Sequence, residues 1–442
     1  MQATARRNSE VSLLIISFLI GGGALALVAL ARNPDVLSAT AWLAGLIVAS
    51  YVGAHIALRN LAPQADALVL PLTATLNALG LAAVYRLSPA RYGPAQATWT
   101  VLGVACFIGT LVAVRDYRAL ARYKYILGFA GVGLLLLPLS PLGRTINGAR
   151  LWVGIAGFSF QPGELAKVCL VVFFAAYLAD RKELLAIASR RVAGLHIPDI
   201  KHFGPLLVMW GLSLAVMFFE KDLGSSLLFF SIFLVMIYIA TARLVYLIFG
   251  TALFMAGAFA GYQIFVHVQD RVRVWAAVFN PKLIRDEGYQ LAQSLFALAT
   301  GGLFGTGLGK GRPDLIPEAR TDFIFSVIGE ELGLLGTAAV LLCFILLVAR
   351  GLRIAMNART DFGQLLAAGL TTIFGLQTII ILAGVTRLLP LTGITLPFMS
   401  YGGSSLLSNF VLVAILARAS HQNASEPAPA HTAEILVGGR GA

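Results

Sequence analysis

The chain has 442 residues, 58% of them hydrophobic and only 12% charged. A soluble domain carries about 25% charged residues, so this composition excludes an ordinary water-solvated globule and points to lipid as the solvent. The formal net charge of +12 would suit a nucleic-acid partner; the basic residues, however, sit in short clusters between apolar runs, the pattern of membrane topology rather than of a basic domain.

A span needs about 20 mostly apolar residues, and reading such windows along the chain predicts twelve. The first five centre near Leu19, Ile47, Leu76, Gly103 and Gly133, the next four near Val172, Leu212, Phe233 and Met255, and the last three near Val340, Ile373 and Val411. Arg6 and Arg7 before the first run resemble a signal peptide, but no small-residue cleavage site follows, so an uncleaved helix is expected. Cys106, Cys169 and Cys343 all fall inside apolar runs without metal-ligand or disulfide spacing, and read as packing residues.

Orientation follows from Lys and Arg in alternate connections. One set holds Arg115, Arg118, Arg122 and Lys124, then Arg181, Lys182, Arg190, Arg191 and Lys201, then Arg350, Arg353 and Arg359, on the side of Arg6 and Arg7. An even number of spans places both termini on that side, the cytoplasm. The tail from about Ser420, rich in Pro, Ala and Gly, reads as disordered.

Between the ninth and tenth predicted spans lies a charged connection of roughly fifty residues, about 268–322, on the outer face. Within it YQLAQSLFALAT, residues 289–300, has helical apolar spacing with Gln290, Gln293 and Ser294 interleaved; too short to span, it is expected at the interface or re-entrant. The glycines that follow do not make a phosphate loop, because Lys310 is followed by Gly311 and the required earlier glycine is Phe304. A flexible turn permitting close backbone approach fits better. The connection ends in IPEARTDFIFSVIGEELGLLG, with Asp322 at the bilayer entry, Thr321 a plausible helix cap, and Glu330 and Glu331 about two turns deeper. Buried carboxylates are costly unless paired or wet, so these three acids predict a polar cavity.

A second constellation is GRTINGARLWVG, residues 143–154, followed by FQPGELAK, residues 160–167. Pro162 suits a first helical turn, and Glu164 and Lys167 share a helix face. They read equally as a structural ion pair or as cavity lining; Arg144 and Arg150 read as phosphate contacts or as side chains reaching to lipid headgroups. The third is GITLPFMSYGGSSLL, residues 393–407, where Gly402 and Gly403 break the helix. Irregular backbone at membrane depth must be buried or line a cavity. All three constellations fall on the same side of the membrane.

Together these stretches resemble the SEDS family (shape, elongation, division and sporulation), whose members include RodA and FtsW. PEARTDFIFSVIGEELGLLG and LPFMSYGGSSLL are highly specific; NGARLW with FQPGELAK, and GYQLAQSLFALATGGLFGTGLG, support them over about residues 60–418. The resemblance implies an all-α polytopic protein: a ten-helix core over residues 61–420, preceded by two extra helices within 1–60 and followed by a tail, 421–442. It implies a peptidoglycan glycosyltransferase that polymerises lipid II, most like the actinobacterial RodA-type branch acting in elongation and cell shape. Asp322 matches the family's essential loop aspartate, Glu164 and Lys167 its QPxExAK pair, and Trp152 its loop tryptophan.

The resemblance further implies attack of the lipid II GlcNAc 4-hydroxyl on the anomeric carbon of a lipid-linked glycan, with inversion and loss of undecaprenyl pyrophosphate. Asp322 is then the expected base, and Lys167, Arg150, Arg271 and Arg273 the candidate phosphate partners. Gln293, Glu318, Ser400 and Gly402 complete the expected substrate-binding set. Where the family usually has Arg, Gln, Gly and His, this chain has Leu151, Glu220, Arg387 and Arg320. A class B penicillin-binding transpeptidase is the implied partner. No tightly bound cofactor is expected, and the outer carboxylates would hold Mg²⁺ or Mn²⁺ only loosely. A division-specific FtsW-type polymerase, a lipid II flippase and a non-catalytic scaffold remain the competing readings.

Overall fold

In lipid every backbone polar group must be satisfied within the chain, so apolar runs of this length become helices. The computed structural model describes residues 2–32, 36–146, 149–155, 158–187, 190–192, 195–197, 204–220 and 222–425. The first five helices are α1 (Gln2–Arg32), α2 (Val36–Leu61), α3 (Val69–Leu87), α4 (Tyr92–Ala113) and α5 (Lys124–Leu136). A small antiparallel sheet follows, of β1 (Gly143–Ile146), β2 (Ala149–Ile155) and β3 (Phe158–Phe160), and leads into α6 (Pro162–Ile187). Pro162 opens α6 where its missing N–H costs nothing.

A hairpin of β4 (Arg190–Val192) and β5 (Leu195–Ile197) precedes α7 (Gly204–Phe219), α8 (Leu223–Thr241) and α9 (Leu244–Ile264). The large connection contains α10 (Val266–Ala277) and α11 (Tyr289–Gly301), and the chain ends in α12 (Ile324–Met356), α13 (Asp361–Val385) and α14 (Gly403–Ser425). All twelve predicted centres fall within helices. Eleven of these are long and apolar enough to cross a membrane, and the twelfth, α7, is a shorter apolar helix.

The core is the set α3, α6, α13 and α14, largely buried along their lengths, whereas α9 is exposed nearly all round. The outward residues of α9, among them Ile248, Phe249, Leu253 and Phe259, are apolar, as a lipid-facing helix requires. The two N-terminal helices pack outside the core, α1 on α3 and α2 on α4. Arg7 and Glu10 of α1 form a buried pair at 2.5 Å, and Glu10 accepts or shares a hydrogen bond with His55 of α2 at 2.6 Å. The start of α1 and the last turns of α14 lie at one end: Arg6 donates to the Gln64 carbonyl, and the Asp66 N–H donates to Ser420 in α14.

One expectation changes here. The helix α14 continues through Ser425, beyond the point at which the tail was expected to become irregular; residues 426–442 lie outside the described residues. Asn147 and Gly148 of the second constellation, and Lys201, also lie outside them.

Candidate active site

The segment between α13 and α14 is non-helical yet buried from Leu396 to Ser400, so its carbonyls need partners from neighbouring helices. Three amide side chains supply them: Asn77 of α3 donates to Phe398, Gln96 of α4 to Ser400, and Gln377 of α13 to Thr395, at 3.2, 3.3 and 2.8 Å. Gly80 of α3 permits the close crossing, since a Cβ there would stand 2.5 Å from the Met399 Cα. Ser400 Oγ accepts from the Leu396 N–H at 2.8 Å and donates to the Thr321 carbonyl at 2.5 Å. The Tyr401 N–H donates to the Arg320 carbonyl at 2.8 Å. This irregular segment therefore clamps the loop that carries Asp322.

Asp322 sits just before α12, half-buried. Thr321 does not cap that helix; its hydroxyl turns back to the Glu318 carbonyl at 3.2 Å. Burial, and then the neighbouring Glu318 carboxylate, push the Asp322 carboxyl up to about 6, against the pull of Thr321, Arg271 and Arg320. Glu318 holds a left-handed φ of 53° and pairs with Arg320 at 3.2 Å. The Arg320 guanidinium also lies over the Tyr92 ring, 4.5 Å from its centre. Arg271, from α10, donates to the Leu391 and Thr392 carbonyls at 3.0 and 3.2 Å. Gly393 follows directly, and a Cβ there would stand 3.6 Å from Asp322 Oδ2. The large connection, through α10, thus places a cation beside the carboxylate at the mouth of α12.

The second pair lies on α6. Lys167 Nζ is 2.8 Å from Glu164 Oε2, with both side chains buried. Lys167 also donates to Gln377 Oε1 at 3.1 Å, and Ser408 of α14 donates to Glu164 at 3.4 Å. The pair is thereby tied through Gln377 to the Thr395 carbonyl. Asp222, which caps α8 by accepting from the Ser225 N–H at 2.9 Å, bridges the two groups electrostatically. Its carboxyl is raised by burial, pulled back by the Ser225 hydrogen bonds and then by Arg271, and raised again by Glu164. Glu164, Asp222, Arg271 and Asp322 form one charged neighbourhood.

Glu330 and Glu331 do not join it, which corrects the expectation of three acids around one cavity. Glu331 accepts from Arg86 of α3 at 2.9 Å and from the Gly309 N–H at 2.9 Å, and Glu330 accepts from the Arg312 N–H at 2.7 Å. Glu331 has both oxygens satisfied and Glu330 one, and together they hold the glycine-rich loop, whose close approach the sequence anticipated. A Cβ on Gly305 would lie 2.3 Å from the Glu331 carbonyl oxygen, and one on Gly301 1.9 Å from that of Gly329. At Gly333, with φ of 66°, α12 bends against this loop.

The sequence pattern of the FtsW/RodA/SpoVE family of cell cycle proteins matches residues 64–425. The chain belongs to this family. The peptidoglycan glycosyltransferase RodA of Mycobacterium leprae is 45% identical over 444 residues, covering 98% of this chain and 94% of that relative. A probable peptidoglycan glycosyltransferase FtsW from a Geobacter species is 35% identical over 369 residues, 80% of this chain and 96% of its own. A solved chain of a peptidoglycan synthase complex that coordinates polymerization and crosslinking superposes with a TM-score of 0.68 at 25% identity, over 82% of this chain and 99% of that one.

The departures from the SEDS pattern have local explanations in the structure. Leu151 and Glu220 line one small cavity together with Asp222 and Gln161; burial, and then Asp222, push the Glu220 carboxyl up to about 8. Arg387, at φ of 63°, donates to the Trp275 and Ala276 carbonyls, each at 2.8 Å, and accepts from the Trp275 indole at 3.1 Å. It pins α10, and with it Arg271, to the end of α13.

The remaining predicted residues are dispersed. Arg273 is exposed and paired with Asp270 and Glu287 at 2.8 and 2.6 Å. Arg150 donates to the Ser140 carbonyl at 2.9 Å, and Trp152 stands opposite Arg144 in the β1–β2 ladder. Gln293 is half-buried on α11, which Ser294 ties to Ser326 of α12 at 2.6 Å. Gly402 precedes α14, and Gly403 lies so close to Trp99 that a Cβ would stand 2.3 Å from the ring. Asp222, Asn77, Gln96 and Gln377 were not singled out as site residues from the sequence. Their signal was a polar side chain inside or at the mouth of an apolar run, which alone does not name its partner. Among the described residues no group of three or more His, Cys, Asp or Glu is placed to hold a metal ion.

Proposed function

We propose that this chain polymerises lipid II at the outer face of the cytoplasmic membrane, with Asp322 as the base that takes the proton of the attacking GlcNAc 4-hydroxyl. The activity class, peptidoglycan glycosyl transfer, accords with family membership and with likeness to a RodA over nearly the whole chain. The carrying observation for the site is Asp322 itself: half-buried beside two cations, with its carboxyl raised to about 6. Such a carboxylate is ionised at neutral pH yet more basic than an exposed one, which suits proton abstraction in the transition state.

Inverting transfer forms the new C–O bond as the bond from the anomeric carbon to the pyrophosphate oxygen breaks, so negative charge develops on the leaving group. Arg271 is the group best placed to meet it, because α10 holds it beside Asp322. Lys167 acts one layer back, holding Gln377 and the 393–402 segment in register. Arg150 and Arg273 keep to their own local partners in the resting structure.

The arginine-rich ends of α5, α6 and α12 carry the cytoplasmic side, which leaves the site outside and both termini inside. The partner in this reading is a class B penicillin-binding transpeptidase; likeness to a chain from a peptidoglycan synthase complex supports it. The 45% identity to a RodA includes the two N-terminal helices, which favours elongation over division. Purified protein given lipid II in detergent tests the activity. A polymerase makes glycan strands there, whereas a flippase, having no bilayer to cross, makes none.

A further inference from the structure

At the far end of the bundle from Asp322, about 40 Å along α12 at 1.5 Å per residue, lies an open cavity of about 470 Å³. Its lining includes Arg6 of α1, Arg350 and Arg353 of α12, Arg359 of the α12–α13 connection, Asn357 and Asp66. Basic residues are common at this membrane boundary, and scattered arginines there need no further explanation. Here, however, arginines from two distant stretches of sequence converge on one concavity: among its described lining residues, Arg6, Arg350, Arg353 and Arg359 stand with one carboxylate, Asp66. Asp66 is already engaged, pairing with Arg350 and accepting from the Leu68 N–H at 2.9 Å. The N-terminus of α3, immediately beyond, adds its positive dipole end.

We infer that this cavity binds a phosphate-bearing anion. Planar guanidinium groups match phosphate oxygens in pairs, and the volume lies in the range of small-ligand sites. Phosphate chemistry has two sources here, the headgroup of an anionic phospholipid in the adjoining leaflet and a soluble phosphate compound. Because Arg6 belongs to α1, outside the matched family region of 64–425, the site is partly built by the N-terminal addition.

The test uses the full chain in dodecyl maltoside and follows the thermal unfolding midpoint, since a ligand that binds the folded state raises it. One arm titrates short-chain phosphatidylglycerol against phosphatidylcholine; the other titrates inorganic pyrophosphate. The expected result is a saturable rise in one arm, which identifies the source. The Arg353→Gln/Arg359→Gln variant, altered only at exposed positions, should need on the order of tenfold more ligand. Arg115→Gln/Arg122→Gln, exposed outside the cavity, should leave the titration unchanged. No rise with either anion would overturn the inference. So would a rise that the first variant retains in full, as binding beside Arg271 would give, or one that both variants weaken equally.

Discussion

Proton affinity at Asp322 links the chemistry to stability. As the proposed base it works only when ionised, so the polymerisation rate should climb with pH through about 6 and level off above it. A profile already flat from pH 5 upward would argue against this carboxyl as the titrating group. The sign for stability is opposite. The folded carboxyl binds its proton more tightly than the ordinary value of 3.8, so stability is fullest below that value and falls as pH rises towards 6. Asp322→Asn should therefore be inactive yet more stable at pH 7.5, by about 1–3 kcal/mol, read as a higher unfolding midpoint in detergent. Lys167 has the opposite character. Lys167→Met leaves Glu164 buried and unpaired, at a cost of about 3–5 kcal/mol, while adding Glu164→Gln should recover much of it. A double variant no more stable than the single one would show that the pair is not the main partner of either residue.

Among the elements, the connection between α9 and α12 combines two devices. One is the lever α10, held to α13 through Arg387 and delivering Arg271 to the 391–393 backbone. The other is the glycine-rich loop, threaded against bent α12 and held by Glu330 and Glu331. Gly305 has φ of 83° and no room for a side chain, so Gly305→Ala should destabilise the loop by at least about 1 kcal/mol, seen as faster proteolysis between α11 and α12. Unchanged cleavage would mean the loop is not held by that contact. The spans were legible in the sequence because length and hydropathy decide them. The role of Glu330 and Glu331 was not, because sequence spacing puts them near Asp322 while only the fold shows which backbone amides they meet. Ser400 and Asp322 could be placed at one membrane face by motif position; the clamp from Ser400 to the Thr321 carbonyl depends on the irregular 393–402 path, which no periodicity encodes.

At the scale of the whole molecule, charge asymmetry and helix count make one prediction about sidedness. A cysteine placed at exposed Phe304 should react with an impermeant maleimide in intact cells, and one at exposed Arg353 only after the membrane is opened. The reverse pattern would invert the topology and remove the site from the outer face. The bundle otherwise divides its labour: α3, α4, α6, α13 and α14 supply the amide and ion-pair supports that hold the 393–402 segment, while lipid-facing α9 supplies mainly apolar surface. The direct test of the central claim is a time course of lipid II polymerisation by purified chain in detergent, wild type beside Asp322→Asn. The account predicts glycan strands from the wild type and, from a variant that remains folded, a rate lower by 10² or more, about the contribution of a positioned base. Polymerisation by Asp322→Asn at close to the wild-type rate would contradict it.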